Sequence, residues 1–231
     1  MTPPNDTTVE KTYPGEPDWG EDLFENSREF ADNPEPRCPF VLILDTSQSM
    51  TGEPIAALQR GLHVFREELL AVPLARKRVE VAVISFGDEV RLVQDFVTAD
   101  RFQPPQLKAE GETPLCTAIV RALDLVESRK ARYRANGVPY SRPWLLLITD
   151  GMPQGDPLET TRQAVQRIRA AEAARQVAFF AVGIEGANMK LLARISVRPP
   201  VKLEGLRFRE LFAWLSASAA RAATSEMMSD L

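Results

Sequence analysis

Apolar and polar positions follow two rhythms along this chain, and the two alternate. Short, predominantly apolar runs at Phe40–Leu44, Val79–Phe86, Trp144–Ile148 and Val177–Val182 read as strands covered on both faces. Between them, apolar residues recur at steps of three and four, which predicts helices over Pro54–Leu70, Leu115–Arg132 and Leu158–Arg175. In the first of these, Ile55, Leu58, Leu62, Phe65 and Leu69 form one stripe suited to packing on a sheet. The run Val90–Phe96 follows Val79–Phe86 after only Gly87-Asp88-Glu89, so the two must form a hairpin. A short helix near Met189, a strand near Val201 and a helix over Phe208–Ala220 close the pattern. The expected class is α/β: a doubly wound, mostly parallel sheet with one antiparallel edge strand and helices on both faces.

Composition divides the chain. Of its 231 residues 44% are hydrophobic and 26% charged, which suits one packed domain with tails. Residues 1–36 contain ten acidic and two basic side chains and six prolines, a net charge near -8, whereas the remainder is near +4. We therefore expect an acidic, proline-rich, flexible tail over 1–36, a domain over 37–221 and a second tail over 222–231. Trp19, Phe24 and Phe30 give the first tail a means of docking as a short helix, and its charge lets it fold back onto a cationic domain.

Several functions fall away on composition. No basic stretch is interleaved with aromatics, so nucleic acid is not an expected partner. No apolar run is long enough for a membrane span and the first residues lack the order of a signal peptide, so a cytoplasmic setting is expected. Cys38 and Cys116 have no paired metal or redox spacing. Any histidine-dependent catalysis must use His63, which lies off the apolar stripe of its helix and reads as a surface imidazole.

The chemistry concentrates at strand ends, where ligands of doubly wound sheets bind. The first strand runs into Asp45-Thr-Ser47-Gln-Ser49, and the central one ends Thr149-Asp150-Gly151. Two carboxylates brought to one edge need a cation, a proton or a donor between them. Ser47 and Ser49, at steps of two after Asp45, can turn their hydroxyls to the same point. Gly111-Glu-Thr113-Pro114 opens the next helix with another hydroxyl. Carboxylate and hydroxyl oxygens without nitrogen or sulfur suit Mg²⁺ or Mn²⁺, and so few charged ligands leave room for an outside carboxylate.

These three segments, in this order, resemble the metal-ion-dependent adhesion site of the von Willebrand factor A domain, a likeness that spans about residues 38–221. The resemblance implies five metal-site positions: Ser47, Ser49 and Thr113 as direct ligands, with Asp45 and Asp150 often acting through water. It also implies a non-enzymatic module whose ion takes an aspartate or glutamate from a protein partner. Gln48 and Glu112 depart from the glycines usual in that family, and Glu112 brings a carboxylate beside the site. More narrowly, Asp45-Thr-Ser-Gln-Ser-Met-Thr-Gly-Glu-Pro-Ile55, Phe102-Gln-Pro-Pro105, Asp150-Gly-Met-Pro153 and Phe208–Ser216 are similar to bacterial cytoplasmic TerY-type proteins of tellurium-resistance and stress gene clusters. That similarity implies a serine/threonine kinase or a PP2C-type phosphatase as partner. The alternative use within the family is an adaptor for a AAA+ motor of the MoxR or chelatase type.

Enzymatic readings fit the residues less well. A metal-dependent phosphohydrolase of the haloacid-dehalogenase type needs an aspartate where Ser47 stands. Neither Ser47 nor Ser49 has a histidine in its motif, and no Gly-x-Gly-x-x-Gly follows a predicted strand.

Overall fold

All eight residues of β1 (Cys38–Asp45) are buried, because helices cover both faces of the sheet it centres. The computed structural model describes residues 29–151 and 154–224. After β1 come α1 (Glu53–Ala71), α2 (Pro73–Arg78), β2 (Val79–Phe86), β3 (Val90–Thr98), α3 (Leu115–Ala135), β4 (Trp144–Thr149) and α4 (Leu158–Ala173). They are followed by β5 (Ala178–Gly183), α5 (Met189–Ile195), the two-residue β6 (Val201–Lys202) and α6 (Phe208–Thr224). The sheet order is β3-β2-β1-β4-β5-β6. β3 is antiparallel and lies at the edge, as the short hairpin spacing requires, and the remaining neighbours pair in parallel.

Alternate side chains of each strand feed two cores. Leu42, Leu44, Val81, Val83, Leu146 and Ile148 face α1, α2 and α6 on one side. Val41, Ile43, Ala82, Ile84, Leu145 and Leu147 face α3, α4 and α5 on the other. The predicted stripe of α1 is buried at Leu58, Leu62, Phe65 and Leu69 and half-buried at Ile55. Gly61 lets α6 approach α1, since a Cβ there would lie 2.5 Å from Phe212. His63 is exposed on the opposite face. The short helix α2 escapes the periodicity argument because it has too few turns to show a stripe. Pro73 at its first position and Arg76, Lys77 and Arg78 in its last turn suit a helix start and a helix end.

At the amino ends of the strands lies a buried ionic cluster. Arg37, just before β1, donates from Nε to Glu80 Oε1 at 2.8 Å, and Arg129 of α3 donates to the same carboxylate at 2.8 and 2.9 Å. The Tyr133 hydroxyl donates to Glu80 as well. Glu29 pairs with Arg129 and with Arg132, and the Phe30 ring lies against the Arg37 and Arg129 guanidiniums, 5.5 and 5.1 Å from its centre. Residues 29–36 thus pack against the domain upstream of the expected boundary at 37, with Phe30 only 5% exposed. Trp19 and Phe24 lie outside the described residues. At the other terminus α6 runs on to Thr224, and Ala223 is buried. Among the described residues, no helix is long and apolar enough to cross a membrane.

Candidate metal site

The three segments singled out by sequence meet at the carboxyl ends of β1 and β4. β1 and β4 pair up to Leu44 and Ile148, so one further step brings Asp45 beside Thr149. Asp45 is wholly buried there. Its Oδ1 accepts the Ser47 backbone N–H at 2.9 Å and its Oδ2 accepts the Thr149 hydroxyl at 2.5 Å. The Ser47 and Ser49 hydroxyl oxygens are 3.0 Å apart, and Ser49 donates to Asp150 Oδ1 at 2.8 Å. Thr113 joins from the third segment. A Cβ on Gly151 would lie 3.3 Å from its Oγ1 and 3.7 Å from Asp45 Oδ2, so both oxygens flank that backbone. The structure therefore gathers all five positions picked out by sequence.

The loops are held by their own backbone. Gln48 donates its N–H to the Gly111 carbonyl at 3.0 Å, Glu110 donates to Thr46 at 2.8 Å, and Gln154 donates to Thr113 at 3.0 Å. Gly111 takes φ +78°, and a Cβ there would meet the Asp88 backbone at 2.2 Å, so a side chain is excluded. Gln48 is exposed and its side-chain amide turns to Thr51 at 3.4 Å, away from the hydroxyls. Glu112 is exposed too and leans over the Asp150–Asp156 loop, with Oε2 2.5 Å from where a Gly155 Cβ would stand.

Two contributors lay outside the sequence reading. Thr149 orients Asp45, and the only local sign of it is a hydroxyl directly before the second aspartate. Asp156 accepts the backbone N–H groups of Cys116 and Thr117 at 2.7 and 3.0 Å, and the Thr117 hydroxyl at 2.7 Å. It serves as the cap of α3, whose own N-cap position is Pro114 with no capping side chain. This contact ties the loop of Asp150 to the segment of Thr113. Replacing Asp156 by alanine is expected to lower stability by about 1 kcal/mol, measured by urea unfolding, and to weaken divalent-ion binding measured by calorimetry. Unchanged stability would show that the cap contributes nothing.

Burial pushes the Asp45 carboxyl above the usual carboxylate range; hydrogen bonds from Ser47 and Thr149 offset this in part, and the Asp150 charge adds to it. Burial raises Asp150 likewise. The partners that act on the two carboxylates are hydroxyls, backbone and each other, with no cation among them. Two carboxylates and three hydroxyls form a hard-oxygen donor set, and neither carboxylate has an ion pair among the described residues, so the residues fit Mg²⁺ or Mn²⁺. Among the described residues, no three His, Cys, Asp or Glu side chains converge, so an ion held here depends on the hydroxyls. Cys116, near the site, is buried and its thiol is pushed up to about 11 by desolvation, which makes it a packing residue rather than a nucleophile.

Solved structures with the same fold include the pilus adhesin SpaC of Lactobacillus rhamnosus GG in its open conformation, at TM-score 0.65 and 14% identity. That comparison covers 81% of this chain but only 30% of the adhesin. The von Willebrand domain of the type V pili tip protein Mfa5 from Porphyromonas gingivalis aligns at TM-score 0.61 and 10% identity over 85% of this chain and 99% of that one. Manganese-loaded Plasmodium vivax TRAP protein aligns at TM-score 0.53 and 17% identity over 77% of this chain and 73% of that one. At such identities the likeness establishes the fold. No curated protein matches in sequence. The sequence model of the von Willebrand factor type A domain matches residues 40–209, well over half of the chain. With the six-stranded sheet and the strand-end oxygens in place, the chain belongs to the von Willebrand factor type A domain family.

Proposed function

We propose that this protein is a non-enzymatic docking module that holds Mg²⁺ or Mn²⁺ on Ser47, Ser49 and Thr113, with Asp45 and Asp150 behind them, and binds an acidic residue of a partner protein. Domains of this family are generally metal-dependent protein–protein interaction modules. The observation that carries the reading is the meeting of three hydroxyls with two carboxylates that no cation of the described residues pairs with. A bound ion supplies a Lewis-acid contact for the partner's carboxylate oxygen. The chain's own residues do the rest. Thr149 and the Ser47 amide hold the Asp45 carboxylate in one orientation, and Asp150 aligns the Ser49 hydroxyl. The backbone bonds between the loops keep Thr113 beside them.

The manganese-loaded TRAP structure supports a divalent ion in this fold, and the similarity to TerY-type proteins makes a cytoplasmic serine/threonine kinase or PP2C-type phosphatase the partner class to test first. The Phe208–Ser216 run that contributes to this similarity buries Phe208, Leu211, Phe212 and Leu215 in the core of α6, so much of its pattern reflects packing. The test is calorimetric titration of Mg²⁺ and Mn²⁺ into the wild type and Thr113→Ala, with a pull-down from extract in magnesium and in EDTA. We expect Thr113→Ala to weaken the ion by at least about tenfold and EDTA to release the partner. Full metal affinity in the variant, or partners retained in EDTA, would overturn the proposal.

A further inference from the structure

The upper edge around the candidate site is acidic well beyond its two aspartates. Glu53, Asp88, Glu89, Glu112 and Glu185 are all exposed, the first at the start of α1 and the others on loops. Glu53 opens α1 just after the serines, Asp88 lies against Gly111, and Glu112 directly precedes Thr113. Glu185 follows β5, in the loop where a Gly186 Cβ would stand 3.1 Å from the Asp150 carbonyl.

Three cations beside these acids are already engaged, while Lys190 is exposed in the first turn of α5. Arg60 pairs with Glu53, Arg91 lies 3.2 Å from Glu89 and 3.8 Å from Glu110, and Lys108 holds Glu110 at 2.6 Å. Asp88, Glu112 and Glu185 form no ion pair among the described residues, and no three acidic side chains there converge to hold a second ion. The acidity is local, because residues 37–231 as a whole are near +4.

Resting on the metal-dependent docking reading, we infer that the partner's metal-seeking carboxylate is carried on a basic segment, flanked on both sides by lysine or arginine. A carboxylate arriving in an acidic stretch meets like charge around the ion, whereas a basic flank meets complementary charge. The metal recognises the central acid, and the surrounding edge reads the flanks. The same edge disfavours the chain's own acidic residues 1–28 as a ligand, since these carry seven acidic and two basic side chains.

Two fluorescent peptides test this: Gly-Lys-Ser-Lys-Asp-Lys-Ser-Lys-Gly and its counterpart with every lysine replaced by glutamate, each also made with the central Asp as Asn. Their anisotropy is measured with the full chain in Mg²⁺ and in EDTA, over a range of salt. The lysine peptide is expected to bind on the order of tenfold more tightly at low salt, with the gap narrowing as salt rises. Its Asn form should bind weakly, and the double variant Glu89→Lys/Glu185→Lys should remove most of the preference. Equal affinity, or preference for the glutamate peptide, with both lost in EDTA and in the Asn forms, overturns the flank inference while the metal reading stands. Binding that ignores both EDTA and the central Asp, or no binding of either peptide, overturns the metal reading and the inference with it.

Discussion

Glu80→Ala is expected to lower the unfolding free energy by about 3–5 kcal/mol, the largest stability effect of any single substitution considered. Glu80 and Arg37 are fully buried and Arg129 is 3% exposed, so their charges have no access to water. The carboxylate accepts from both guanidiniums and from the Tyr133 hydroxyl. Removing it leaves Arg37 with backbone carbonyls alone, and Arg129 with Glu29. Burial, the larger of the causes that hold the Tyr133 phenol above its ordinary range, persists when Glu80 is removed, so that proton stays in place as a donor with its acceptor gone. Urea unfolding followed by circular dichroism measures the loss, and a cost under about 1 kcal/mol would place the cluster among surface-type pairs. The cluster lies at the amino ends of the strands and the candidate site at the carboxyl ends. The folded fraction of the variant should therefore bind divalent ions with wild-type affinity.

Asp45→Asn should act in the opposite way on the two states of the domain. Without metal, the buried Asp45 carboxylate is disfavoured by desolvation and by Asp150, so neutralising it is expected to leave stability in EDTA equal to or above that of the wild type. An asparagine oxygen can still accept the Ser47 amide, and its amide nitrogen can donate to Thr149 once that hydroxyl rotates. With Mg²⁺ at one hundred times its dissociation constant the wild type should gain about 2.7 kcal/mol, and the variant almost none. Thermal melts in EDTA and in magnesium read both effects. A variant destabilised in EDTA, or one that keeps the metal-induced gain, would show that Asp45 is structural rather than a charge held for an ion.

The strands were legible because their burial is recorded locally. Phe40–Leu44 is apolar at every position, and a segment of that kind must be covered on both sides. The antiparallel β3 was legible for a similar reason, since three residues after Phe86 allow only a hairpin. The site's five oxygens were readable because Asp45 and Asp150 sit one and two residues beyond apolar runs, where strand direction decides which edge they reach. Thr149 and Asp156 were not, because their roles are long-range hydrogen bonds, to Asp45 over 104 residues and to Cys116 over 40.

Sequence by itself thus determined the class of fold, the edge that carries the site and the residue types that meet there, because periodicity and strand ends are properties of adjacent positions. Tertiary structure alone decided what holds that site in shape and where the surrounding charge falls. An acidic count near -8 placed the acidity in residues 1–36, yet Glu29 is spent on Arg129 and Arg132 at the far end of the sheet. The carboxylates around the site come from four separated segments, with only Asp88 and Glu89 adjacent, and each segment is unremarkable in its own stretch of chain. Charge adds through space rather than along the sequence, and only the fold brings those loops to one edge.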